Sequence, residues 1–229
     1  LDKKILILLP IWGRKNITRV CLDSLKELQK SYNIEVLCVV SEVWAKIDAF
    51  ERGFKYVQVS NDDLGVKMNT GVKESLKYDY DYLMNLGSDD IINERLFDVY
   101  KDSFDKGLEM FGITKATFID IESKRVKDCD YKAMIGAGRC IAKSRILKDV
   151  IVDGESIMYD KGIKRGLDFN SMFKFKCSMS ELATEGCLIW DIKSDENIWV
   201  YDNIGGTDIG FDEAVKEMKT KDIDAILEL

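Results

Sequence analysis

Residues 82–92 read Tyr-Leu-Met-Asn-Leu-Gly-Ser-Asp-Asp-Ile-Ile: an apolar run, then Gly87-Ser88, then adjacent carboxylates Asp89 and Asp90, then apolar residues again. The apolar part, Tyr80–Leu86, has the length and composition of a buried strand. Neighbouring carboxylates repel, and each raises the other's pKa unless a cation or a donor compensates. The pair therefore either faces water in a turn that caps a helix starting near Ile92, or holds something positive.

Upstream, strands and helices alternate. Lys4–Leu9 is continuously apolar, like a strand buried on both faces. Ile17, Val20, Cys21, Leu25 and Leu28 recur at helical spacing. Ile34–Val40 is a second buried strand, Val43–Arg52 a weak helix, and residues 55–59 a short alternating strand. Asn61-Asp62-Asp63 forms a turn before a helix over Val66–Leu76. This order predicts an α/β fold with a mostly parallel sheet, right-handed crossovers and helices on both faces. Ligands of such sheets bind beyond the carboxyl ends of the strands. Pro10-Ile11-Trp12-Gly13, Ser41-Glu42, Ser60–Gly65 and Gly87–Asp90 then share one rim.

The second half is less regular. It predicts a helix over Leu96–Phe104 and strands over Phe111–Ile121 and Ala133–Ala142, the latter interrupted by Gly136-Ala137-Gly138. Lys143–Val150 reads as a short helix and Ile163–Phe175 as a longer one. Leu188–Lys193 and Ile198–Tyr201 read as strands, Gly205-Gly206 as a hinge, and Phe211–Leu229 as an acidic amphipathic tail.

At 229 residues the chain suits one domain, 1–229: about 1–92, about 93–204, and a hinge and tail at 205–229. No apolar run approaches the roughly 18–20 residues of a membrane span. No leader is read at the N-terminus, and the expected location is cytoplasmic. The six cysteines form no CxxC pair and read as reduced thiols. With no histidine, Ser-His and Cys-His triads and histidine metal sites are excluded. Net charge is −7, yet Lys115–Lys176 holds 14 Lys and Arg against 9 Asp and Glu. That locally basic stretch is either scattered solvated lysine or a face for an anionic partner.

Asp89 and Asp90 at a strand end suit Mn²⁺ or Mg²⁺, which takes one or two carboxylates and completes its shell with phosphate and water. A cation there would neutralise a leaving diphosphate. The start of the helix in NDDLGVKMNTGVKES (61–75) offers free N–H groups to an anion, with Lys67 and Asn69 nearby.

LPIWGR (9–14), NDDLGVKMNTGVKES and YLMNLGSDD (82–90), in this order, resemble the nucleotide-sugar half of GT-A glycosyltransferases of the family 2-like kind. The resemblance covers residues 4–92 well and the rest loosely. It implies a Rossmann-like GT-A fold with a smaller mixed acceptor-side half, and a UDP-sugar donor. Pro10, Ile11 and Trp12 would hold the nucleobase, with Glu42 in place of an Asp-rich turn. Gly65, Lys67, Asn69 and Gly71 match the second motif. Ser88, Asp89 and Asp90 match the third, with Asp89 and Asp90 on the metal. Gly87 stands where many members have the first acid, and the usual histidine ligand is absent; Asp191 or Asp202 would substitute. GLDFNSMF (166–173) resembles the helix carrying the base of inverting members, which assigns that role to Asp168. The acceptor would be a saccharide hydroxyl. The basic half leaves open a hydroxymethylated base in DNA, contacted by Lys161, Lys164, Arg165, Lys174 or Lys176. A degenerate fold that binds nucleotide or sugar without turnover is the reading from another class.

Overall fold

The computed structural model describes residues 2–163, 166–194, 201–216 and 218–228. Strands β1 (Ile5–Ile11), β2 (Ile34–Val40), β3 (Lys55–Gln58) and β4 (Tyr82–Asn85) alternate with helices α1 (Lys15–Leu28), α2 (Val43–Glu51) and α3 (Leu64–Ser75). All three strand pairings, β1 with β2, β1 with β4 and β2 with β3, are parallel. Then follow β5 (Asp90–Ile92), α4 (Arg95–Asp105), β6 (Met110–Ile113), β7 (Lys115–Asp120), β8 (Arg125–Asp130) and β9 (Cys140–Ala142). A short α5 (Lys143–Arg145), the hairpin β10 (Ile151–Val152) and β11 (Glu155–Ser156), and α6 (Leu167–Met172) lead to β12 (Ser180–Leu182) and β13 (Ile189–Lys193). β14 (Thr207–Ile209), α7 (Phe211–Val215) and α8 (Thr220–Leu227) complete the order.

The central sheet runs β3-β2-β1-β4-β9-β6-β12, and only β9 lies antiparallel to its neighbours. Alternation along β1 explains why it reads as unbroken apolar sequence. Ile5, Ile7 and Leu9 pack under α1 and α4, while Leu6 and Leu8 pack under α3 with Met68 and Val72. A second sheet, β14-β8-β7-β13-β5, forms the smaller mixed half. The architecture is thus the expected mixed α/β one.

Several second-half elements differ from the sequence reading. Phe111–Ile121 divides at Thr114 into β6 of the central sheet and β7 of the second, because the chain crosses between sheets that both bury it. Within 133–142 only β9 is strand; Gly138 turns the chain at φ 76° and its carbonyl accepts from the Tyr100 hydroxyl at 3.0 Å. Left-handed Gly166 starts α6 at Leu167, so the helix is shorter than Ile163–Phe175; residues 164 and 165 lie outside the described residues. The tail carries the helices α7 and α8. Most of the strand expected at Ile198–Tyr201 lies outside the described residues, and Tyr201 begins a 3₁₀ turn. The β7–β8 hairpin, β5, β12 and β14 were not anticipated. All six cysteines are free thiols. Among the described residues no helix is long and apolar enough to cross a membrane.

Candidate functional site

β1 ends in a sharp turn. Gly13 sits at φ 61° and Arg14 at φ 49°, both left-handed. The Gly13 N–H donates to Glu42 Oε2 at 2.7 Å, tying the ends of β1 and β2. Lys67, from α3, is almost wholly buried. Its Nζ donates to the Ile11 carbonyl at 2.6 Å, Ser41 Oγ at 2.8 Å and Asn61 Oδ1 at 3.2 Å, so one ammonium stitches three segments of the rim. Burial pulls Lys67 down to about 8; Glu42 opposes this and Arg14 adds to it. The Ile11 side chain lies in the core, Pro10 lines the cavity described below, and the Trp12 indole is about half exposed at 48%.

Gly65 and Asn69 serve the segment that follows β11. A Cβ on Gly65 would stand 2.2 Å from the Asp160 carbonyl oxygen. Asn69 Nδ2 donates to the Tyr159 carbonyl at 2.7 Å, and its Oδ1 accepts from Ser156 Oγ at 2.9 Å and the Tyr159 N–H at 3.0 Å. Gly71 lets α3 lie close on the sheet, since a Cβ there would stand 2.5 Å from Val39 and 2.7 Å from Leu8.

The loop after β4 folds its two acids back over Gly87. A Cβ on Gly87 would meet Asp89 Oδ1 at 2.7 Å and Asp90 Oδ2 at 2.8 Å, which accounts for glycine where an acid was expected. The Gly87 N–H donates to Asp90 Oδ2 at 2.6 Å. β5 then pairs antiparallel with β13, setting Asp90 directly opposite Asp191. Carboxylate oxygens of Asp89, Asp90 and Asp191 all lie within 4.8 Å of one another. Two cations stand against them: Arg14 pairs with Asp89 and donates to Ser88 Oγ at 3.2 Å, and Lys193 Nζ donates to Asp191 Oδ2 at 2.8 Å. Burial, with Asp191 and Asp89 adding, pushes Asp90 well above the usual carboxylate range. Burial and Asp89 raise Asp191 to about 7, with Lys193 and Arg14 opposing. Burial lowers Lys193, but Asp191, Asp89 and Asp90 outweigh it and leave its pKa raised. Three clustered hard oxygen donors fit Mn²⁺ or Mg²⁺. Asp191 joins this cluster; Asp202 does not, its carboxylate being exposed and paired with Arg125.

These carboxylates line one side of a cavity of about 720 Å³ between the two sheets, and Asp168 lines the same cavity. Asp168 lies in the first turn of α6 with its side chain more than half exposed. Its carboxyl group rests over Gly136, where a Cβ would approach within 2.4 Å. Buried Arg139 anchors the helix, donating to the Asp168 carbonyl at 2.8 Å and Ser171 Oγ at 2.9 Å. Arg139 and Arg145 are both buried, so part of the basic excess of this half is internal. Lys174 pairs with Asp160 at 2.8 Å, Lys161 and Lys176 are exposed, and Lys164 and Arg165 lie outside the described residues. Sequence reasoning missed Arg14, Lys193 and Arg139; Arg14 closes the quoted LPIWGR motif and was the one within reach.

Fold and rim together define a GT-A-like fold. The chain superposes on Staphylococcus aureus TarS 1–349 with TM-score 0.57 at 11% identity, over 82% of this chain and 60% of that one. It is also similar to 4-diphosphocytidyl-2C-methyl-D-erythritol synthase from Anaerococcus prevotii, with TM-score 0.53, 13% identity and 99% and 97% of the two chains covered. Glucosyl-3-phosphoglycerate synthase from Mycobacterium tuberculosis, in complex with Mn²⁺, UDP and phosphoglyceric acid, gives TM-score 0.51 at 12% identity over 80% and 69%. The chain thus spans about 60% of the length of TarS 1–349. No protein-family model matches the sequence, and no curated protein matches it.

Proposed function

We propose that the protein is a metal-dependent glycosyltransferase that moves a sugar from a UDP-sugar to an acceptor hydroxyl with inversion. The observation that carries this reading is that Asp89, Asp90 and Asp191 share one cavity with Asp168 at the carboxyl ends of β1 and β4. Asp89, Asp90 and Asp191 would hold Mn²⁺ or Mg²⁺, which supplies charge neutralisation for the diphosphate when bound. Pro10, Trp12 and Glu42 border the nucleoside, while Lys67 and the Gly13 N–H fix the strand ends that shape its pocket. Asp168 takes the proton of the attacking hydroxyl, and its exposed carboxylate is open to an incoming acceptor. Support also comes from the neighbour holding Mn²⁺, UDP and phosphoglyceric acid, which shares this fold.

The test is release of UDP from a panel of UDP-sugars with Mn²⁺, with and without pooled saccharide acceptors. Acceptor-stimulated release that EDTA abolishes is the expected result. Nucleotide binding without release under any combination would instead identify a binding module.

A further inference from the structure

Around Asp168 the cavity wall is hydrocarbon. The Asp168 carboxyl group rests over Gly136, which follows Met134 and Ile135, and Asp168 is itself flanked by Leu167 and Phe169. All of these residues line the cavity. Met134 and Leu167 belong to one apolar cluster, and Ile135 packs with Ala116, Phe118 and Tyr131 in another. Besides the aspartates already described, the polar side chains lining the cavity are Asn85, Tyr131 and Tyr159. Their polar atoms have essentially no accessible surface: the Tyr159 hydroxyl is turned to Asn85 and Arg139, and the Tyr131 hydroxyl to Cys129. A saccharide acceptor carries a hydroxyl on nearly every carbon. Most of those hydroxyls would find no side-chain partner on this wall, and each unpaired polar group costs free energy on leaving water. A second observation carries the apolar surface outward. Phe169 is 53% exposed, and Phe173, one turn further along α6, is 69% exposed. Their rings meet edge to face with centroids 5.0 Å apart. Contiguous exposed apolar side chains mark binding surfaces, whereas single ones are ordinary.

We infer that the acceptor is an apolar alcohol, with its hydroxyl at Asp168 and its hydrocarbon chain running along Leu167 and Phe169 and out across Phe173. The inference rests on the glycosyl-transfer reading and names its acceptor, in place of the saccharide that the sequence resemblance implies. In the step, the alcohol oxygen bonds to the anomeric carbon of the donor. The bond from that carbon to the UDP oxygen breaks, its electron pair leaving with UDP, and Asp168 takes the hydroxyl proton. A single hydroxyl then meets the single accessible carboxylate on this part of the wall, and the rest of the acceptor meets hydrocarbon.

UDP release is measured from UDP-glucose, UDP-galactose and UDP-N-acetylglucosamine with Mn²⁺. The added acceptors are butanol, hexanol, octanol and decanol on one side, and glucose, galactose and cellobiose on the other. The alcohols should stimulate release and yield the alkyl glycoside by mass, with kcat/KM rising about three- to fourfold for each added methylene. Phe173→Ser should lower kcat/KM for decanol by about 5–10-fold and leave butanol unchanged, while Phe173→Leu restores most of the loss. Calorimetric titration of decanol, without nucleotide or Mn²⁺, should rank the three proteins in the same order. A higher kcat/KM for any of the saccharides than for decanol keeps the transferase reading and overturns the acceptor class. A rate independent of chain length does the same, as does a Phe173→Ser loss equal for butanol and decanol. No release with any acceptor, whether or not decanol binds, overturns the transferase reading and the acceptor role with it. Should Phe173→Ser not melt cooperatively, the chain-length series in wild type decides alone.

Discussion

On the proposed reading, Arg14 and an incoming divalent cation would compete for Asp89, so Arg14→Gln should tighten Mn²⁺ binding. Arg14 is held at φ 49°, a conformation costing a non-glycine residue about 1–2 kcal/mol, and its guanidinium bonds to Asp89 and Ser88 offset that cost. The side chains of Arg14 and Asp89 are 16% and 10% exposed. Two unit charges about 4 Å apart at an effective dielectric near 20 attract by about 4 kcal/mol. Partial wetting of the rim and the Ser88 contact, which glutamine can keep, reduce the net effect on a bound cation to about 1.5–3 kcal/mol. That corresponds to about 10–100-fold in affinity. Free Mn²⁺ measured by its paramagnetic resonance signal, across a titration of protein without nucleotide, reads this directly. Arg14→Lys keeps the charge and should behave more like wild type. Equal or weaker binding by Arg14→Gln would refute the competition; Arg14 would then be holding Asp89 in its binding posture.

Asp168→Asn should lower turnover by about 10²–10⁴-fold while UDP affinity stays unchanged, a split seen by pairing UDP-release kinetics with calorimetry. Gly71→Ala should destabilise the fold by about 1–3 kcal/mol despite alanine's better helix propensity, since the new methyl meets Val39 and Leu8; the urea midpoint checks it. Lys67 sits near 8 in the folded chain against an ordinary 10.5. Between those values the unfolded chain holds a proton that the folded one has released, so stability contributed by this group rises with pH from about 8 to 10.5. The urea midpoint of wild type minus that of Lys67→Met should therefore shift in favour of wild type between pH 7.5 and 9.5, and a flat difference would contradict the burial argument.

The first half of the fold was legible because β1, β2 and β4 are short apolar runs, β3 alternates, and helices separate them, so local pattern and tertiary burial agree. β1 shows this: Ile5–Ile11 alternates between two cores and is apolar at nearly every position. The second half was less legible because β6 and β7 adjoin in sequence but belong to different sheets, and nothing local marks the crossing at Thr114. The site divides the same way. Asp89 and Asp90 stand in one loop and could be read together, whereas Asp191 reaches them only through the antiparallel register of β13 on β5. Its neighbour Lys193 was invisible for the same reason, although Lys193–Asp191 forms an ion pair two residues apart in sequence.

The sequence departures around the cluster form one consistent arrangement. The loop folds so that Asp89 and Asp90 both turn back over residue 87, where any side chain would push their carboxylates aside and glycine does not. A third carboxylate then comes from β13. Directly opposed carboxylates are destabilising in a sheet; Lys193 on Asp191 and Arg14 on the adjoining Asp89 offset this only in part, since Asp90 and Asp191 stay above the ordinary carboxylate range. On the proposed reading, a metal bound at the cluster would have to compete with these two cations.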